Sequence, residues 1–363
     1  MPPAGPRAWL NADYLLWFIR PTNVPFAIAT TGPAGTAGII GQNGTVTRLG
    51  NQRVTFGTTD GFHVTGGYWL DCEHNWSIRA GGFFTETTTV NLFANDAVLS
   101  RPFFDTNTNT ENVRIISLPG AFAGQVAAAY SSRLWGADAS INYRARQCNG
   151  YYADLYCGFR YLNLEENLRI SDSSTQLAQG AAAFNGNGIR PPSTSVVRDR
   201  FDTRNNFYGT QVGGKIALTS GKWVLDLNGS VAIGPVVESA WASGSSTLIG
   251  GGGVVPATVQ GGLLALQSNS GIVTRTEFAV VPEATGRLGF RVTDRLLVHG
   301  GYSFLYMSSV LRPGEQVDRV LNPTLIPTSP TFGVPFGPGR PTIPLARTDY
   351  VAHGVHFGFT LMY

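Results

Sequence analysis

From Val351 to Tyr363 the chain alternates without a break. Val351, His353, Val355, Phe357, Phe359, Leu361 and Tyr363 share one phase, and Ala352, Gly354, His356, Gly358 and Thr360 share the other. Successive side chains of a strand point to opposite faces, so a period of two marks a strand with one greasy face and one small or polar face. Ten segments carry this period: roughly Trp9–Ile19, Phe62–Asp71, Asn75–Thr87, Arg133–Gln147, Tyr151–Leu162, Asn206–Leu218, Trp223–Glu238, Thr276–Val292, Leu296–Val310 and Tyr350–Tyr363. Helical periodicity is nearly absent. The pattern predicts an all-β chain, a single unit over residues 1–363, and excludes a helical or α/β fold.

The connections alternate too. Four are tight turns: Cys72-Glu-His74, Cys148-Asn-Gly150, Thr219-Ser-Gly-Lys222 and Thr293-Asp-Arg295. The other five are long, about 35 to 45 residues each by this reading, and rich in Gly, Pro, Ser, Thr and Asn. Short turns at one end and long loops at the other are the layout of an outer-membrane antiparallel up-and-down β-barrel, with periplasmic turns and extracellular loops. An even strand number puts both termini at the short-turn end. The segment Thr45–Phe56 alternates briefly, so a count of twelve stays open beside ten.

Aromatic residues mark two levels. Tyr68, Trp76, Tyr143, Tyr151, Trp223, Phe290 and Tyr363 stand next to the short turns on the outward phase, and Phe84, Trp135, Phe278 and Tyr306 stand near the long loops. Within a strand the spacing is about eight residues, roughly 20 Å along the barrel axis at 3.3 Å per residue and a tilt near 40°, close to the height of a bilayer's apolar band.

Composition agrees. Charged residues are 13% of the chain, against about 25% in soluble domains, and glycine supplies 45 residues. The net charge is +3, and only Lys215 and Lys222 are lysines, so no basic block exists for nucleic acid. No run reaches the length of a membrane-spanning helix; the nearest is the Gly-rich stretch Leu248–Leu266. A soluble barrel would also alternate, but with its charges outside. Here Asp13, Glu238 and the residues Arg79, Asp138, Arg144, Asp154, Arg160, Lys215, Asp226, Glu277, Glu283, Arg287 and Arg291 fall on the small-residue phase. That phase is read as a cramped lumen. With Arg146 it holds seven basic and seven acidic groups, a balanced set suited to interior ion pairs.

Several strings resemble the beta-barrel porin-7 family of bacterial outer-membrane proteins, along nearly the whole chain. They are Trp9-Leu-Asn-Ala-Asp-Tyr-Leu-Leu-Trp17, Gly66-Gly-Tyr-Trp-Leu-Asp71, Leu99-Ser-Arg-Pro-Phe-Phe-Asp105, Gly158-Phe-Arg-Tyr-Leu162 with Leu164-Glu-Glu166, and Arg200-Phe-Asp-Thr-Arg-Asn-Asn-Phe-Tyr-Gly209. The resemblance implies an exported barrel in the outer membrane. Met1-Pro-Pro-Ala-Gly-Pro6 lacks the basic and apolar regions of a secretory signal, so the expectation is a truncated or mature start. The C-terminal strand, ending on aromatic Tyr363, resembles the signal read by the barrel-assembly machinery. Expected partners are that machinery and outer-membrane lipid.

No cofactor, metal or catalytic site is expected. Cys72 and Cys148 fall in adjacent turns of an oxidising compartment, where a disulfide or two free thiols are the alternatives, and Cys157 takes no role. His353 and His356, three apart on a strand, face opposite ways and cannot chelate together; His299 and His356 share the lumenal phase as hydrogen-bonding groups. No Gly-x-Ser-x-Gly elbow, P-loop or Cys-x-x-Cys pair occurs, and the Gly250–Gly253 run reads as loop. Ten-stranded omptin proteases use acidic residues and a histidine at the outer rim. Asp60 and His63 are the nearest counterpart, and no second acidic pair joins them. The chain is therefore expected not to be an enzyme.

Two functions fit. A narrow porin-like channel would pass small hydrophilic solutes past the lumenal arginines and their carboxylates. A closed structural or surface-binding barrel would act through its extracellular loops. The family name favours the first; strand count, near the closed end of the barrel series, favours the second.

Overall fold

The computed structural model describes residues 7–251 and 255–363. The reading of Met1–Pro6, and Gly252 and Gly253 of the glycine run, lie outside the described residues. Ten strands close into one antiparallel ring: β1 Ala8–Ile19, β2 Thr58–Trp69, β3 Trp76–Thr85, β4 Phe122–Cys148, β5 Tyr151–Gln176, β6 Ser193–Ser220, β7 Trp223–Ile249, β8 Gly271–Arg291, β9 Leu296–Leu311 and β10 Arg347–Met362. Each pairs with its sequence neighbour, and β1 closes on β10 from Trp9↔Met362 to Ile19↔Ala352. Two short strands add to the wall: Thr88–Ala94 on β4 and Ala257–Gln260 on β7. The segment around Val46–Val54 does not enter the ring, so ten is the strand number.

Four strands run far beyond the expected ends. β4, β5, β6 and β7 continue past Arg133, Leu162, Asn206 and Glu238, which leaves only 177–192 and 250–270 as the connections after β5 and β7. The physical reason is a reversal of polarity. On the inner part of β6, Val212, Ile216 and Leu218 face out, and Gln211 and Lys215 face in. Beyond Tyr208 the outward residues are Asn206, Arg204, Asp202 and Arg200, and the inward ones are Phe207, Phe201 and Val197. β5 reverses at the same level: Leu162, Leu164, Leu168 and Ile170 turn inward above Arg160. Trp135, Tyr161 and Tyr208 stack in a row there, with centroids 5.0 and 5.1 Å apart. Below the row the wall faces lipid, and above it the wall faces water.

A water-facing wall buries its apolar phase inside, and the long connections fill that space. Thr22–Thr31, Val46–Val54, Leu99–Asp105, Thr110–Ser117 and Val320–Leu321 form a second, five-stranded sheet. Its Val24, Ile28, Leu99 and Phe103 join Leu134, Leu164, Phe201 and Val236 of the wall in one hydrophobic core. Each such side chain contributes about 1.5–3 kcal/mol on burial. The expectation that these loops lie at the surface is thus corrected for much of their length. They plug the outer half.

One ladder ends early. β8 and β9 pair only from Glu283↔Leu305 to Arg291↔Leu297, while β8 stays on β7 up to Gly271. β9 instead bends inward, and the Leu311 backbone meets the Asn205 side chain of β6 through two hydrogen bonds of 2.7 and 2.9 Å.

Candidate functional site

Beneath the plug lies a polar cavity of about 360 Å³. Leu15, Trp17 and Phe83, members of the outer core, form its ceiling. Trp9, Trp69, Thr219, Arg291 and Met362, at the short-turn ends of five strands, form its mouth. The lumenal phase of each inner strand supplies the walls.

Asp13 is the hub. Its fully buried carboxylate accepts hydrogen bonds from Asn11 Nδ2 at 2.6 Å, His299 Nε2 at 2.7 Å, Arg287 Nη2 at 3.1 Å and His63 Nδ1 at 3.3 Å. A carboxylate only accepts, so these two ring nitrogens carry the protons, and the Thr65 hydroxyl donates to His63 Nε2 at 3.0 Å. Arg287 also reaches His356 Nε2 at 3.3 Å, and Ser303 bonds His356 Nδ1 at 3.1 Å. β1, β2, β8, β9 and β10 are thereby tied across the lumen. A buried charge of this kind is tolerated because its lone pairs are filled.

Arg160 of β5 pairs with Glu283 of β8 over three strand steps, a second lace across the lumen. Arg79–Asp138 at 3.0 Å, Arg144–Asp154 at 2.8 Å and Lys215–Asp226 at 3.4 Å join adjacent strands. Arg144 is also held between aromatic faces, 4.7 Å from Trp69 and 4.1 Å from Tyr152. Arg291 stands at the mouth.

Not every lumenal assignment from sequence lies here. Glu277 has the inward phase but sits in the water-facing wall, where it meets Arg347 at 3.2 Å and Arg275 at 3.7 Å; buried Glu238 likewise pairs with Arg275 at 2.6 Å. Arg146 faces out, because the register slips between Ala153 and Asp154 and the bulge puts Arg146 opposite Ala153 rather than on the phase of Arg144. Asp60 and His63 do not form a pair, since three residues along a strand separate their faces: His63 points to Asp13, and Asp60 lies with Phe62 and Val64 on the outside. Cys72, Cys148 and Cys157 are all free thiols. The last bond between these two hairpins joins Asn75 to Arg144, and β4 runs four residues further to Cys148, about 13 Å at strand rise. Among the described residues, no group of three or more His, Cys, Asp and Glu is arranged to hold a metal ion.

The outward aromatics lie where the phase puts them. Trp76 packs on Tyr143 at 4.8 Å and Trp223 on Phe290 at 5.1 Å near the short turns, with Tyr68, Tyr151 and Tyr363 at that end. Phe84 and Trp135 are exposed at the upper level, and Tyr306 is half-buried there.

Sequence reasoning missed the anchors of the plug. Arg101, fully buried, spans Asp172 of β5 at 2.9 Å and Asp199 of β6 at 2.7 Å. Asp199 also accepts the backbone N–H groups of Leu263, Leu264 and Ala265 at 2.7–2.9 Å, which pins the β7–β8 connection over the plug. Arg312 grips Glu166 through two hydrogen bonds of 2.6 and 2.8 Å beside Tyr130 and Tyr350. Burial works against the Arg312 charge, but the Glu166 carboxylate with the Tyr130 and Tyr350 oxygens together outweigh it and hold the guanidinium above the usual arginine range.

The profile of the family described as Putative beta barrel porin-7 (BBP7) matches residues 9–363. The chain belongs to the BBP7 family. No curated protein matches it. Among solved structures this BBP7 barrel is similar to the outer membrane protease OmpT from Escherichia coli, at 9% identity and a TM-score of 0.47, over 98% of this chain and 97% of that one. It is also similar to Ail, the attachment invasion locus protein of Yersinia pestis, at 8% identity, a TM-score of 0.23 and 99% coverage of both chains. A third is the P. putida toluene transporter TodX, at 10% identity and a TM-score of 0.21, covering 99% of this chain and 91% of that one. Those three proteins differ in function, and none lends its own to the BBP7 barrel.

Proposed function

We propose that this outer-membrane barrel is closed to solutes and serves as a non-catalytic scaffold, held in lipid by its inner half and presenting a rigid, plugged outer half at the surface. The observation that carries this reading is the packed core over the cavity ceiling, locked by Arg101 between Asp172 and Asp199. A mobile surface loop would not bury a guanidinium between two carboxylates, because ion pairs removed from water are costly to open. The apolar outward phase and its aromatic girdles suit contact with lipid, and β10, ending at Tyr363, suits recognition by the barrel-assembly machinery.

A narrow channel is the second reading. It is favoured by the charged cavity, which reaches the short-turn mouth, and it requires the plug to leave. Ion conductance of the refolded chain in planar bilayers tests both. A sealed barrel gives no discrete steps. Reproducible steps altered by removing Arg287 and Arg291 would instead establish a channel lined by those residues.

A further inference from the structure

The outer part of β8 has an edge with no strand beside it. Arg291 N–H bonds to Lys222, which precedes β7, whereas Val292 N–H bonds to Leu296 and Val280 N–H to Ser308 Oγ of β9. Odd residues of β8 thus turn their backbone groups to β7, and even residues turn theirs to the β9 side. β8 pairs with β7 without a register break from Gly271 to Phe290, so this alternation holds throughout. Pro282 falls on the even phase. It has no N–H to give β9, and the β8–β9 ladder ends at Glu283, the next residue.

Above Pro282 the amides and carbonyls of Ile272, Thr274, Thr276 and Phe278 therefore point away from β7, and among the described residues no backbone group meets them. The side chains of this row are exposed, Ile272 to 70% and Phe278 to 64%. Natural sheet edges are usually blunted by charge, proline or a bulge. This row, Ile272, Thr274, Thr276, Phe278 and Val280, has none of these. Ile272, Thr274 and Thr276 lie above the level of Tyr208, on the water-facing side; Phe278, opposite Pro235, stands at that level, and Val280, opposite Ile233, lies below it with its N–H taken by Ser308 Oγ.

We infer that this edge accepts an added strand: an extended, uncharged segment of another polypeptide, outside the membrane, with β-branched or aromatic side chains continuing the Ile272–Phe278 row. Backbone pairing supplies the affinity and the alternating side chains the selectivity, as in other strand-addition sites. A second copy of this chain is a poor occupant. Two copies in one membrane share their up–down sense, so their β8 edges would meet parallel, and a two-fold axis along the membrane normal would set each bonding residue opposite its own copy. A parallel ladder needs bonding residues of the two strands staggered by one. The symmetric pair cannot form it. The inference deepens the scaffold reading but has its own readout, since conductance reports the plug and strand addition reports the edge.

The test uses the full chain in detergent with a fluorescent alternating Thr/Val peptide flanked by lysines, and the same peptide N-methylated at alternate residues. The expected result is saturable binding of the first peptide only, with amide exchange at Thr274 and Thr276 slowed at least about tenfold while Arg275 and Glu277, already in the β7 ladder, do not change. Thr276→Pro, which removes an edge donor without touching the β7 ladder, should abolish binding. Ile272→Lys, which keeps the backbone intact, should weaken it. The inference is overturned if the two peptides bind alike, if neither binds, or if the Thr274 and Thr276 amides are protected without peptide. It is also overturned if protection rises with chain concentration alone, which would assign the edge to a second copy.

Discussion

Replacing Arg101 by methionine removes the guanidinium at the centre of the plug while keeping most of its volume. Two buried carboxylates lose a partner, Asp172 and Asp199. Asp172 keeps Arg114 at 3.0 Å, and Asp199 keeps three backbone donors, so neither is stranded. Breaking a buried pair costs about 3–5 kcal/mol, and the retained partners place this case at about 3. At about 1.4 kcal/mol per decade, the plug-released population should rise on the order of a hundredfold. Amide exchange over Leu99–Asp105 should accelerate by that factor, with the inner turns of β5 and β6 unchanged. Arg53→Met, at an exposed arginine of the same sheet, is the control and should fall within about half a kcal/mol of the parent. An effect of Arg101→Met below about threefold would refute the claim that this ion triad holds the plug.

Arg312→Met should likewise loosen the β9–β10 connection, because it leaves the Glu166 carboxylate buried without its cation; faster cleavage by protease between Pro313 and Ala346 is the readout. Gly50 has φ +85°, and a Cβ there would lie 2.2 Å from the Phe26 carbonyl oxygen. Gly50→Ala should therefore lower the unfolding temperature of the plug sheet while leaving a heat-modifiable barrel on gels. In bilayers a charged maleimide should label Cys72 and Cys148 without prior reduction and reach Cys157, on the lipid-facing phase, only after denaturation; a protected Cys72–Cys148 pair would contradict the free thiols seen here.

The inner half of the wall was legible from sequence because one local rule governs it: apolar to lipid, small or polar to the lumen. β10 and the inner part of β8 follow it residue by residue. The outer half obeys the opposite rule, so Leu164, Leu168 and Ile170 alternate in plain view yet lie inside, and the rule for the inner half places that stretch in a connection. The motif Leu99–Asp105 stood out as a string, but nothing local says that Arg101 would meet Asp172 and Asp199. Those contacts depend on folding a connection back through the barrel. In the cavity, Asp13, Arg287 and Arg160 could be placed on the lumenal phase, whereas their partners across the lumen could not. Glu277 shows the limit of phase alone, since it assigns a face and not a height. Arg146 shows another: a single bulge residue reverses everything beyond it.

The reversal of polarity at Trp135, Tyr161 and Tyr208 also sets the depth at which the protein floats. Sinking by two residues would draw Arg204 and its partner Glu165 to the interface at about 0–1 kcal/mol, and deeper sinking raises that cost toward about 2–4 kcal/mol for an arginine at the midplane. Rising by two would lift Trp76, Trp223 and their neighbours out of the inner interface and bring the turns into lipid. β5 and β6 carry this mark residue by residue and Trp135 extends it to β4, so the barrel behaves as a float with a waterline written on that side of its wall. The free edge of β8 is thereby kept at a constant height above the bilayer, whatever happens to the plug inside.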